Sequence, residues 1–182
     1  MGSVIKDKYE VIKNFVTEDE INLLAKYCKL KHISNLDSFD YKMSNVNDTM
    51  FYGDPLTDSL MLKYKNKIEK YVDKKVLPTY SFWRMYTKGA ILKKHTDRKA
   101  CEISITITLS TDGTDWPIYI NDTKVSLDPG DGVIYYGRDL PHWRDEFKGD
   151  FQAQCFLHYV DAQGKYKDEH MDRRHMWGTQ RY

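Results

Sequence analysis

The amino-acid sequence predicts a mainly β domain with flanking helices, and three observations carry that expectation. Aromatic residues make up 14% of the chain, with 14 Tyr, 7 Phe and 4 Trp, a bias toward pleated, half-buried surfaces and away from leucine-rich helix packing. From Tyr80 onward the chain breaks into short alternating or apolar runs rich in β-branched and aromatic residues, at 80–86, 101–109, 117–120, 123–127, 132–136 and 152–160. Turn formers separate these runs: Lys88-Gly89, Asp112-Gly113, Asn121-Asp122 and Asp128-Pro129-Gly130-Asp131-Gly132. Short strands at that spacing make an antiparallel sandwich or barrel.

The helices come before the strands. Thr17 followed three residues later by Glu20 is a capping-box signature, and Ile21, Leu23, Leu24 and Tyr27 after it predict a helix over about 18–29. Asp54-Pro55-Leu56-Thr57 is a second start, and Leu60, Tyr64, Ile68 and Tyr71 at helical steps predict an amphipathic helix over about 57–75. Between them, 31–53 is polar and aperiodic and reads as a long loop or a pair of short strands. The stretch 161–182 is charged and without an apolar period, a surface extension or lid, in which His170 and His175 are read as solvent-exposed. No internal repeat divides the 182 residues. The expectation is one domain, with helical support over about 1–78, a β core over about 79–160 and a C-terminal extension over 161–182.

Composition narrows the function. Lys plus Arg number 28 and Asp plus Glu 27, a net charge of +1, so the basic stripe that grips a nucleic-acid backbone is missing. No stretch approaches the roughly 20 apolar residues that span a bilayer, and the first residues lack the apolar region of a signal peptide, so the expected location is cytoplasmic, without a membrane partner. Cys28, Cys101 and Cys155, odd in number and widely spaced, read as reduced thiols, and Cys101 and Cys155, inside strand-like runs, as small core residues. The Asn-x-Thr sequons at Asn47 and Asn121 then carry no glycan.

The chemistry concentrates in His95-Thr96-Asp97 and His142. On extended backbone the side chains at i and i+2 share a face, which sets one imidazole and one carboxylate side by side. His142 follows the turn Gly137-Arg138-Asp139-Leu140-Pro141. If the sheet curls so that these strands face each other, His95, Asp97 and His142 form a facial triad, the arrangement that leaves open positions on a non-haem Fe(II).

With Tyr86-Thr87-Lys88-Gly89 ahead of His95, and the turn at Asp128-Pro129-Gly130 and the strand 132–136 ahead of His142, the chain resembles the iron and 2-oxoglutarate dependent dioxygenases, in particular their prolyl 4-hydroxylase-like branch. The resemblance covers about residues 80–160, and more weakly the Asn14-Phe15-Val16 opening of the first helix. It implies a double-stranded β-helix, the jelly-roll or cupin-like fold, with N-terminal helices packed on the major sheet. It implies His95, Asp97 and His142 as metal ligands and as the catalytic centre. Tyr86 then lines the cosubstrate pocket, or else is a core tyrosine beside it. The implied cofactors are Fe(II), 2-oxoglutarate and O2, with ascorbate as an optional accessory. The implied reaction is hydroxylation of a prolyl or other peptidyl residue with release of succinate and CO2. Hydroxylation of a free amino acid or small metabolite, and a non-catalytic metal-binding β-barrel, are the alternatives.

The sequence departs from the family at one point. Where the family places a Lys or Arg to hold the far carboxylate of 2-oxoglutarate, residues 151–154 read Phe-Gln-Ala-Gln, and Gln152 and Gln154 donate hydrogen bonds without charge. Arg144, two residues past His142 and on the same strand face, is the expected replacement, because a guanidinium holds a carboxylate at two points. Arg84, two before Tyr86, is the runner-up, with hydroxyl contacts expected from Thr106 and Thr108. His158 is read as a core histidine in preference to a pocket wall.

Overall fold

The computed structural model describes residues 8–35 and 48–179. In chain order the elements are β1 (Tyr9–Ile12), α1 (Glu18–Asn35), β2 (Thr49–Tyr52), α2 (Pro55–Val72), β3 (Val76–Thr87), β4 (Leu92–His95), β5 (Ile103–Thr111), β6 (Ile118–Ile120), β7 (Thr123–Val125), β8 (Gly132–Tyr135), β9 (His142–Arg144) and β10 (Phe151–Asp161). Short 3-10 turns at Lys99–Cys101 and Lys167–Arg173 complete it. Two antiparallel sheets result: a major sheet in the order β1-β8-β5-β10-β3-β2 and a minor sheet in the order β4-β9-β6-β7. Part of the stretch read as a loop or short strands, 36–47, lies outside the described residues, and so does the Asn47 sequon; the remainder contains β2.

The caps explain the helix limits. Thr17 and Glu20 form the expected capping box, the Glu20 Oε2 accepting from the Thr17 N–H at 2.8 Å while Thr17 Oγ1 accepts from the Glu20 N–H at 3.3 Å. With no glycine or proline to stop it, α1 runs on to Asn35 instead of ending near 29. α2 starts two residues earlier than expected because Asp54 caps it, Oδ1 accepting from the Leu56 N–H at 3.0 Å with Pro55 in the first turn. It ends earlier because Asp73 turns left-handed, φ 51°.

The two faces of the major sheet differ in kind. Odd-numbered residues of its three central strands, Trp83 and Met85, Ile103, Ile105 and Ile107, and Ala153, Cys155, Leu157 and Tyr159, pack with Leu24 and Cys28 of α1 and Leu60, Met61, Tyr64 and Ile68 of α2 in one apolar core. Even-numbered residues turn the other way, and they are mostly polar: Arg84 and Tyr86, Ser104, Thr106 and Thr108, Gln152, Gln154 and His158. All of these except Arg84 are buried. The major sheet thus hides its apolar face under the helices and turns a mostly polar face the other way.

The C-terminal stretch is anchored, not a loose extension. Asp172 is fully buried, accepting from both terminal nitrogens of Arg98 at 2.5 Å. Arg174 is also buried and pairs with Asp58 at 2.6 Å. Residues 180–182 of that stretch lie outside the described ones; His170 and His175 are exposed, as expected. No helix among the described residues is long and apolar enough to cross a membrane.

Candidate metal centre and cavity

His95 ends β4, and β9 pairs antiparallel with β4 so that His95 stands directly opposite His142. Their rings lie 4.3 Å apart. Asp97 follows His95 by two residues, and the Asp97 N–H bonds to the Gly137 carbonyl at 2.9 Å. This closes the curl that brings the carboxylate between the imidazoles: Asp97 Oδ1 is 3.6 Å from His95 Nε2 and 3.5 Å from His142 Nε2. Gly137 is required by space, since a Cβ there would stand 2.2 Å from Asp97 Oδ2 and 2.8 Å from Ser104 Oγ.

Each imidazole is held by its other nitrogen. His95 Nδ1 lies 2.7 Å from the Lys93 carbonyl and His142 Nδ1 2.9 Å from the Leu140 carbonyl. A carbonyl only accepts, so both Nδ1 atoms donate, and the Nε2 lone pairs point at the shared space. Burial pushes the Asp97 carboxyl up, but the facing His142 and His95 overcome this and hold it well below the usual carboxylate range. Hydrogen bonding to Asp97 raises His95 in turn. The donor set suits a divalent metal: two neutral imidazoles and one carboxylate, all within 4.8 Å of one another. Bonds of about 2.0–2.2 Å to a common ion bring three such atoms to within about 3–3.6 Å of one another.

The triad lies on the wall of a cavity of about 190 Å³, lined also by Tyr80, Phe82, Arg84, Tyr86, Tyr135, Phe156 and His158. A larger groove of about 640 Å³ beside the end of α2 is lined by Glu69, Lys70, Asp73, Lys74 and Lys75. Glu69 there is already paired with Lys65 and Lys75, and the metal-donor clusters among the described residues lie elsewhere, so the smaller cavity is the candidate site.

The residues expected around it divide clearly. Tyr86 is buried and lines the cavity. Arg84 lines it too but is already paired with Asp48, which also accepts from the Thr87 N–H at 2.9 Å. Thr108 and Gln154 bond to each other, Gln154 Nε2 donating to Thr108 Oγ1 at 3.0 Å, and Thr106 Oγ1 lies 3.2 Å from the Tyr135 hydroxyl. Gln152 is buried opposite Tyr86 on the ladder. His158, read from sequence as a core histidine in preference to a pocket wall, is buried and bonded to Ser104 and also lines the cavity.

Arg144 is the outlier. It is among the most deeply buried large side chains, stacked on Trp116 with its carbon 4.8 Å from the ring centre, and one terminal nitrogen donates to the Trp116 carbonyl. No carboxylate pairs with it among the described residues, and its Nη2 is buried without any partner there. Burial pushes the guanidinium down to about 10, against the opposing influence of Tyr86 and Tyr135. A buried, unpaired cation costs several kcal/mol.

Sequence reasoning missed Ser104, Tyr80 and Tyr135, all recoverable by alternation from Thr106, Tyr86 and Val133, and it missed Asp48, for which the sequence offers no signal. Ser104 matters most. Its Oγ donates to Asp97 Oδ2 at 3.1 Å and lies 2.9 Å from His158 Nδ1. With its proton committed to a carboxylate, the hydroxyl accepts from His158 Nδ1–H, which leaves the ring's lone pair on Nε2. Burial pushes His158 down to about 4, so it is neutral near pH 7.

Solved structures share this architecture. The viral collagen prolyl hydroxylase of Paramecium bursaria Chlorella virus-1, in its 2-oxoglutarate complex, superposes with a TM-score of 0.63 over 84% of this chain and 95% of its own, at 15% identity. The fold is the double-stranded β-helix. A Pseudomonas putida prolyl-4-hydroxylase matches with a TM-score of 0.65 at 13% identity, covering 85% of this chain and 92% of its own. EctD from S. alaskensis, solved with 2-oxoglutarate and 5-hydroxyectoine, gives 0.66 at 13% identity over 86% of this chain and 73% of its own. No family model matches the sequence, and no curated protein matches it.

Proposed function

We propose that this chain is a non-haem Fe(II) and 2-oxoglutarate dependent dioxygenase that hydroxylates a prolyl or other peptidyl residue, releasing succinate and CO2. The observation that carries the reading is the presence together of a three-donor metal cluster and a buried guanidinium with no carboxylate partner among the described residues. His95, Asp97 and His142 would hold the iron. When bound, the iron supplies the redox chemistry that couples decarboxylation of 2-oxoglutarate by O2 to oxygen insertion into substrate, with ascorbate as an accessory that keeps the metal ferrous.

The chain's own residues do the rest. Arg144 meets the far carboxylate of the cosubstrate with the nitrogen left over from Trp116, taking the place of the cation absent from 151–154. Tyr86 walls the cavity, and Thr106, Thr108, Gln152 and Gln154 are buried polar side chains on the same face of the major sheet. Arg84 is committed to Asp48 and so serves as wall, not as anchor. The aromatic walls Phe82 and Phe156 keep water from the reacting centre. The three free, buried thiols suit a reducing cytoplasm.

The peptidyl reading is supported by the two prolyl hydroxylases of the same fold, and the small-molecule alternative by the EctD structure holding 5-hydroxyectoine. The test is incubation of the Fe(II)-loaded protein with 2-oxoglutarate, ascorbate and a panel of proline-containing peptides and free amino acids. Succinate formation and a mass gain of one oxygen on a peptide are expected; oxygen gained only by amino acids shifts the reading to a small substrate. No succinate from the iron-loaded chain would end the oxygenase proposal.

A further inference from the structure

Asp97 divides its two oxygens between two sets of neighbours. Oδ1 faces His95 and His142, whereas Oδ2 accepts from Ser104. Asp97 also belongs to a second group. The 3-10 turn Lys99–Cys101 carries the Cys101 thiol back beside the carboxylate four residues earlier, and His158 reaches the same point from β10. The ligand atoms of Asp97, Cys101 and His158 all lie within 4.8 Å of one another.

This donor set differs from the first in kind. It offers one sulfur, one imidazole nitrogen and one carboxylate oxygen, and sulfur selects softer ions than oxygen and nitrogen alone. Ser104 fixes the tautomer of His158, so Nε2 is the nitrogen with a free lone pair. The Cys101 sulfur is 3.0 Å from the Tyr80 hydroxyl, a donor that can stay with it as a thiolate. Burial and the Asp97 charge push the Cys101 thiol well up, so it loses its proton only to a bound cation; the thiolate, the carboxylate and a neutral imidazole then match a divalent charge. A tetrahedral zinc, at about 2.0–2.3 Å from such ligands, spaces them by about 3.3–3.8 Å, so side-chain adjustments of about an ångström complete the site. Entry is through the cavity, which Asp97 and His158 both line.

We propose that Asp97, Cys101 and His158 form a second cation site, selective for a soft or borderline divalent ion of the zinc and cadmium kind and joined to the first centre through the shared carboxylate. On binding, the Cys101 S–H bond breaks, its proton leaves to solvent and a metal–sulfur bond forms. The proposal stands whether or not the first centre takes iron.

Cadmium chloride titrated into the metal-free full chain tests it, read by the ultraviolet thiolate-to-cadmium charge-transfer absorption. One equivalent is expected to produce the absorption in the wild type, in the His95→Ala/His142→Ala double variant and in the Cys28→Ser/Cys155→Ser double variant, where Cys101 is the only thiol. Cys101→Ser should abolish it, and His158→Gln should weaken cadmium binding at least tenfold. Absence from the wild type, loss in the variant that keeps only Cys101, or survival in Cys101→Ser would overturn the proposal.

Discussion

Arg174 and Arg144 are almost equally hidden from water, 4% and 2% exposed, yet the fold treats them in opposite ways. Arg174, in the C-terminal stretch, is answered completely from within the chain: Asp58 at 2.6 Å, the Thr79 carbonyl at 3.1 Å and the Thr179 carbonyl at 3.2 Å. Arg98 likewise has Asp172, and Arg84 has Asp48. Arg144, in the minor sheet two residues from His142, has one carbonyl, one aromatic face and one nitrogen with no partner among the described residues. The contrast is between a buried cation answered from within and one with no carboxylate partner among the described residues, and the proposed role of Arg144 rests on that difference.

The largest expected effect falls on the paired arginine. Asp58→Ala leaves Arg174 buried and unpaired and should cost about 3–5 kcal/mol, read as a drop in the urea midpoint. Arg144→Met, which removes an already unpaired charge at similar volume, should leave unfolding stability within about 1 kcal/mol of the wild type or raise it. Equal losses in the two variants would erase the distinction.

Ligand binding sharpens the same contrast. Arg144→Met should weaken 2-oxoglutarate binding by about 2–5 kcal/mol, some 30-fold or more, measured by titration of the metal-loaded protein, while Arg84→Met should affect it far less because Arg84 serves Asp48. Next comes Ser104→Ala, which frees Asp97 Oδ2 and the His158 ring; metal affinity should fall about 10- to 100-fold with the fold intact, read by competition with a chelator.

The smallest effect concerns carboxylates answered within the chain. Burial pushes Glu20 and Glu69 up, but hydrogen bonds from Lys63, Tyr64 and Thr17 to the first, and from Lys65, Lys75 and the Val76 N–H to the second, hold both at about 2. A depressed carboxyl contributes stability that is complete above its ordinary value of 4.5 and is lost as pH falls toward about 2. Urea midpoints should therefore decline across that window, and Glu69→Gln should make the decline shallower.

Much of the site was legible because it rests on local periodicity. The i, i+2 spacing of His95 and Asp97 put both on one face, the same rule joined Arg144 to His142, and alternation along 101–109 and 152–160 set polar residues inward. What escaped depends on distance along the chain. Asp58 and Arg174 are 116 residues apart and Arg98 and Asp172 are 74 apart, separations at which no pattern names a partner, so the anchoring of the stretch read as a surface extension or lid was not foreseen. β4 and β9, of four and three residues, are too short to stand out as strands in the sequence. The two readings of His158 do not exclude each other, because its burial and its place on the cavity wall are both real: a neutral imidazole bonded to Ser104 satisfies either description.

The most direct measurement is the visible charge-transfer absorption that develops when 2-oxoglutarate is added, without oxygen, to the Fe(II)-loaded protein. It is expected in the wild type, only at much higher 2-oxoglutarate in Arg144→Met, and not at all in His142→Ala. A wild type that binds iron yet shows no such absorption at saturating 2-oxoglutarate, or an Arg144→Met that develops it at wild-type concentrations, would contradict the proposed function.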